Sequence, residues 1–95
     1  MKSMKFSEVD IRVLESLKDG PKGYSELLKE LSDLIDKKVY ILAHSLGKLY
    51  RYGIIEKIGT KKKRKYKINE KYKKFVDLLI QVYYRFSLQD VEAGA

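Results

Sequence analysis

The chain has no cysteine and no tryptophan, and only one proline and one histidine. Without cysteine it has no disulfide, no thiolate for a metal and no thiol redox switch. A lone histidine, His44, cannot build a multi-histidine metal site, so neither metal nor cofactor is expected. No window of 18 residues is continuously apolar, which argues against a membrane-spanning helix. The opening MKSMKFSEVD has no apolar signal core, and the protein is expected in the cytoplasm. There is no glycine-rich phosphate loop, no paired-carboxylate pattern and no nucleophile–base–orienter set, so enzymatic activity is not expected.

Acidic residues are scarce in one place. The 95 residues carry 21 Lys/Arg against 13 Asp/Glu, a formal net charge of +8. Residues 1–56 hold ten basic and nine acidic residues, and residues 75–95 hold one basic and three acidic. Residues 57–74 hold ten basic residues and one acidic, so the excess is confined to 18 positions. Within that block Lys61, Lys62, Lys63, Arg64, Lys65 and Lys67 fill six of seven positions, interrupted only by Tyr66. Such a localised patch is the electrostatic footprint of a polyanion binder. The plainer alternative is a solvated lysine-rich loop that aids solubility.

What is present otherwise describes one small globular domain, 44% hydrophobic and 36% charged. Ser7 as N-cap with Asp10 at N3, and Phe6 opposite Ile11, predict a helix over about 8–19. Gly20 and Pro21 end it. Tyr24, Leu27, Leu28 and Leu31 predict a second helix over about 24–31. In SDLID, Leu34 and Ile35 are expected to plug the core. A third helix is expected over about 37–52, capped by Asp36, with Val39, Leu42, Leu46 and Leu49 as its buried face. Its opposite stripe is Lys37, Ile41, His44, Lys48 and Arg51, flanked by Tyr40 and Ser45.

IIEKI (54–58) and KYKI (65–68) alternate as half-buried strands, so the basic run is the tip and outer face of a hairpin. Asn69 is expected to cap a last helix over about 70–87. Its FVDLLIQVYYRF has nine apolar or aromatic residues in twelve, more than a small core can cover. Residues 88–95 are expected to be frayed. The fold class is therefore mainly α with a small β-hairpin (α+β).

The segments YSELLKEL, LAHSLGKLYRYGIIEKI and KKKRKYKIN, in the order helix, helix, helix, hairpin, helix, resemble a winged helix-turn-helix domain. The chain is similar to small MarR-, ArsR- and PadR-type regulators and to short archaeal proteins of this kind, over about residues 6–86. Residues 6–69 would be the winged helix core and 70–87 a dimerising helix. One departure is the stretch from Leu31 to Leu42, about one helical turn longer than usual. Either the second helix continues to Ile35 or the third starts early.

The resemblance implies a recognition helix in the major groove, presenting Lys37, Lys38, Tyr40, Ile41, His44, Ser45, Lys48 and Arg51. It implies a wing, Lys61 to Lys65 with Lys67, on the phosphate backbone. Phe75, Leu79, Val82, Tyr83 and Phe86 are the expected dimer contacts. The partner would be double-stranded DNA and a second copy of the chain, with no membrane and no metal. The function implied is a homodimeric transcription regulator. Alternatives are a nucleoid or chromatin-like protein without sequence preference, an RNA-binding winged helix and a protein-interaction adaptor. A lysine-rich, cysteine-free composition with few Asn and Gln is similar to thermophile usage.

Overall fold

The computed structural model describes the backbone of residues 4–94 and the side chains of residues 4–86. Helix α1 spans Glu8–Leu17, α2 Tyr24–Glu30, α3 Ser32–Ile35, α4 Val39–Arg51 and α5 Lys73–Gly94. Strands β1 (Lys22–Gly23), β2 (Ile55–Ile58) and β3 (Lys65–Ile68) form an antiparallel sheet in the order β1-β3-β2. The molecule is thus predominantly helical with one small sheet. Among the described residues no helix is long and apolar enough to cross a membrane.

The start of α1 follows from its sequence. The Ser7 N–H donates to Asp10 Oδ2 at 2.8 Å, and the Asp10 N–H donates to Ser7 Oγ at 3.3 Å. That reciprocal capping box satisfies two amides that a helix end otherwise leaves unpaired. Ile11, Val13, Leu14 and Leu17 then enter the core.

The long connection between the second and third predicted helices takes neither expected form. Leu31 leaves helical geometry (φ −103°, ψ 12°), and a separate helical turn, α3, follows. Ile35 is buried and Leu34 half-buried, as the sequence indicates. Asp36 does not cap α4. It sits at φ 51°, an unusual conformation for a residue with a side chain, and turns the chain so that α4 begins at Val39. Lys38 is the N-cap residue and supplies no side-chain cap. Val39, expected inside, is 48% exposed at this helix start.

Leu42, Leu46 and Leu49 of α4 meet α1, Leu27 of α2, Leu31 just after it, Ile54, Ile55, Ile68 and Val76 in one core. A fully buried Leu or Ile contributes about 1.5–3 kcal/mol relative to an exposed one. The hairpin register pairs Ile55 with Ile68, Glu56 with Lys67, Lys57 with Tyr66 and Ile58 with Lys65. Ile55, Ile68 and Tyr66 thereby face the core while Lys65 and Lys67 lie on the other face of the sheet.

Two residues are too few for periodicity to reveal, so β1 was not expected. It pairs Lys22 with Tyr66 and Gly23 with Lys65. Asn69 does more than cap. Its Oδ1 accepts from the Lys71 N–H in the 3-10 turn Glu70–Tyr72, which leads into α5. Its Nδ2 donates to the Gly53 carbonyl at 3.1 Å and its backbone N–H to the Ile54 carbonyl at 2.8 Å. One residue therefore ties the start of the hairpin to its end. The last helix, expected to end near 87 with a frayed tail over 88–95, instead continues to Gly94.

Gly59 opens the loop between β2 and β3 at φ +85°, and a Cβ there would lie 2.4 Å from the Lys63 carbonyl oxygen. The loop continues as a 3-10 turn over Lys61–Lys63, closed by the Lys63 N–H on the Thr60 carbonyl at 3.1 Å. Gly59→Ala is expected to cost at least about 1–2 kcal/mol from the left-handed backbone alone. For a domain of this size that lowers Tm by roughly 5–15 °C in a thermal melt. An unchanged Tm would mean that the loop does not depend on this turn.

Candidate nucleic-acid interface

The residues expected on the exposed face of α4 divide into two groups. Lys37 and Lys38 precede the helix and are exposed; Tyr40 is 66% exposed, and His44 and Arg51 are exposed. Ile41 is half-buried against the core. Ser45 and Lys48 do not belong to the outer face. Ser45 is 2% exposed and its hydroxyl donates to Asp10 Oδ1. The Lys48 ammonium is paired with Asp10 Oδ2.

Asp10 itself is fully buried. A bare carboxylate there would be costly, but this one accepts from three donors: the Ser7 amide, the Ser45 hydroxyl and the Lys48 ammonium. Ser45 and Lys48 look like surface residues by type and spacing. They face inward because α1 supplies an anion for both.

The outward face of α4 is accordingly Tyr40, Ala43, His44, Gly47 and Arg51, with Tyr50 at its edge, 47% exposed. At 100° per residue this face is rotated by roughly 60–70° from the stripe the sequence indicates. Sequence reading passed over Gly47 and Tyr50, and the only signal for Gly47 was a glycine inside a strong helical pattern. A Cβ at Gly47 would come 3.4 Å from Arg51 Nη1. The Lys57 ammonium lies 4.3 Å from the Tyr50 ring centroid, which links β2 to the end of α4.

The basic loop stands as expected. Lys61 to Lys65 are all exposed and Lys67 is half-buried. The six ion pairs among the described residues engage Arg12, Lys18, Lys22, Lys48 and Lys73. None engages Lys37, Lys38, Arg51 or a basic residue of the loop. Several acidic residues are satisfied elsewhere. Lys22 and Ser16 hydrogen-bond Glu30 and hold its carboxyl below the usual range. Lys18 pairs with Asp77 at 2.9 Å. The Tyr84 hydroxyl is pushed up by burial and then by its bond to Glu15. These three contacts lie among α1, α2 and α5.

On α5, Val76 and Ile80 are buried, and Leu79 and Tyr83 pack on the same core. The last two, expected as dimer contacts, therefore serve mainly their own domain. Phe75, Val82 and Phe86 are 38%, 39% and 57% exposed, and Leu78, not among the expected contacts, is 60% exposed. At helical spacing these four form one stripe beside the buried face. The helix is apolar over an arc of roughly 200°, of which the core covers about half. Phe75 also joins Phe6 and Tyr72 at ring-centroid distances of 6.1 and 6.3 Å, which extends the apolar surface toward the N-terminal segment.

Among the described residues no group of three His, Cys, Asp or Glu side chains is placed to hold a metal ion. Compared with known protein families and with curated proteins, the chain matches none.

Proposed function

We propose that the chain is a double-stranded DNA-binding protein of winged-helix type, acting as a homodimeric transcription regulator. The observation that carries this reading is the set of cations without an ion-pair partner among the described residues. Nine of them fall on α4 and the hairpin: Lys37 and Lys38 before α4, Arg51 at its end, and the six basic residues between Lys61 and Lys67; Lys5, Lys29, Lys57, Lys71, Lys74 and Arg85 are likewise outside the ion pairs. Leaving so much like charge unneutralised disfavours the compact state through self-repulsion. A polyphosphate ligand removes that cost and gains counterion release.

In this reading α4 lies in the major groove. His44 and Tyr40 meet base edges, Lys37 and Lys38 bring charge to the helix N-terminus, and Arg51 meets phosphate. The loop Lys61–Lys65 runs along the adjacent backbone as the wing. A lysine there acts as a point charge and adds affinity with little sequence reading. The lysine excess also supports a second reading, a chromatin-like protein that binds duplex DNA without sequence preference. The specificity ratio separates the two.

Dimerisation is proposed through the exposed stripe of α5, with Phe75, Leu78, Val82 and Phe86 as its contacts. The charges on this helix favour an antiparallel pair. Lys73 and Lys74 open α5, while Asp90 and Glu92 stand near its end in sequence. That arrangement opposes the helix's own dipole, and an antiparallel neighbour would place each end beside opposite charge.

The test is fluorescence anisotropy of the full chain on a labelled duplex as a function of salt. The reading predicts log K falling linearly with log[salt], with a slope of about −0.9 for each phosphate neutralised. Absence of binding at low salt would remove it. Gly47 gives a second check. Gly47→Ala is expected to raise stability by about 0.5–1 kcal/mol, because glycine is a poor residue inside a helix. It is also expected to weaken duplex binding by about tenfold, about 1.4 kcal/mol, if the bare backbone at Gly47 permits close approach to DNA. A variant that is more stable and binds equally well would place the contact elsewhere.

A further inference from the structure

The face of α4 that points outward is not set by its apolar residues alone. Hydrophobic burial is non-directional, and Leu42, Leu46 and Leu49 would stay covered if the helix rolled by a few tens of degrees about its axis. A roll toward the stripe read from the sequence would expose Ser45 and Lys48. Their contacts to Asp10 oppose it. Ser45 and Lys48 are three apart, on successive turns of α4, and both attach to one carboxylate on the first turn of α1.

The carboxylate is in turn held by the Ser7 amide, and its side chain is 1% exposed against 19% for that of Lys48. Two attachments at one point fix rotation as well as distance. No buried side-chain polar atom lacks a partner among the described residues, so the network is complete.

We propose that Asp10 is a positioning residue for nucleic-acid binding. It fixes the rotation of α4 so that Tyr40, His44, Gly47 and Arg51 face outward, and it keeps the Lys48 charge out of the phosphate interface. The proposal rests on the DNA-binding reading above. It makes Asp10 an internal competitor of phosphate for Lys48. Two residues that resemble DNA contacts in the sequence then act inside the protein, and the number of phosphates neutralised is one fewer per protomer than the helix's composition suggests.

The experiment compares the salt dependence of duplex binding and the thermal melts of five full-length proteins: wild type, Arg51→Ala, Lys48→Met, Asp10→Asn and Asp10→Asn/Lys48→Met. The probe is a labelled random-sequence duplex. Arg51→Ala, the reference for a lost phosphate contact, should reduce the magnitude of the salt slope by about one per protomer. Lys48→Met should leave the slope at the wild-type value while lowering Tm, because it strands a buried carboxylate.

Asp10→Asn keeps the shape and an acceptor for Ser45 but puts an amide NH2 where Lys48 and the Ser7 N–H were held. Tm should therefore fall with the lost cap, while Lys48 is released and the slope steepens by about one per protomer. The double variant should melt above Lys48→Met, since the stranded charge is gone. A Lys48→Met slope reduced like that of Arg51→Ala would show Lys48 on phosphate and overturn the proposal. Should Lys48→Met fail to fold, Asp10→Asn decides, and an unchanged slope there overturns the proposal equally. If wild type binds no duplex, the DNA reading and the role in binding both fall. The melts then still show whether Asp10 and Lys48 are coupled, because an uncoupled pair gives additive losses in Tm.

Discussion

Replacing Lys61, Lys62 and Lys63 together by alanine is expected to weaken duplex binding on the order of 100-fold for each bound protomer at about 0.15 M salt. The estimate follows from three lost phosphate contacts, each contributing about 0.9 to the slope of log K against log[salt]. The slope itself should fall by about 2.7 per protomer, and the loss should be alike for every duplex sequence. All three side chains are exposed and none is in an ion pair among the described residues, so fold stability should change by less than about 0.5 kcal/mol. Removing mutual repulsion could even raise it slightly. The readouts are anisotropy titrations at several salt concentrations beside a thermal melt. A triple variant that binds like wild type would show the run to be a solvated loop. A loss confined to one preferred sequence would show the wing reading bases instead of backbone.

The second large effect is expected from Leu78→Glu combined with Val82→Glu. These positions lie on the exposed stripe of α5, one turn apart, so two carboxylates would fall in the middle of the proposed interface. An unpaired charge buried at a contact between copies is strongly unfavourable. Light scattering should show a monomer at concentrations where wild type is a dimer, with Tm changed only through the lost association. Affinity for a site with two half-sites should fall by about 10²–10⁴-fold, because the second half-site is no longer delivered at high effective concentration. Affinity for a single half-site should be nearly unchanged. A wild-type chain that is already monomeric at high concentration would remove the dimer from the account. Leu79 is a poor choice for the same test, because it is partly buried against the protein's own core and a glutamate there would destabilise the fold as well as the interface.

Most of the architecture was legible in the sequence, for identifiable reasons. The capping box at Ser7 and Asp10, the Gly20-Pro21 stop and the alternation of KYKI are local signals, and local geometry obeyed them. β1 was invisible because a two-residue strand has no period, and its pairing is decided by β3, more than 40 residues away. The segment between Leu31 and Val39 was ambiguous because its turn depends on a positive φ at Asp36, a conformation the sequence does not demand of aspartate. The candidate site was legible in its charge and misread in its facing. Lys61 to Lys65 stay exposed because the run itself holds no acidic residue, and the flanking Glu56 and Glu70 form no ion pair with any of them among the described residues. Ser45 and Lys48 were misplaced because their inward turn depends on Asp10, 35 residues earlier in the case of Ser45. That aspartate already had a complete local explanation as a cap, which concealed its second role. On α5 the sequence showed an excess of apolar surface. Only the packing could show that Leu79 and Tyr83 are used internally while Leu78 is left outside.

The central claim, that α4 and the basic loop together read duplex DNA, is tested most directly by selection from a random duplex library at about 150 mM salt, where purely electrostatic binding is suppressed. The account predicts recovery of an inverted repeat with half-sites about one helical turn apart, roughly 10 base pairs, set by the two copies of α4 in an antiparallel dimer. Retained duplexes without an enriched motif would contradict sequence reading by α4 and leave a chromatin-like binder. Retention of no duplex at all would contradict DNA binding itself.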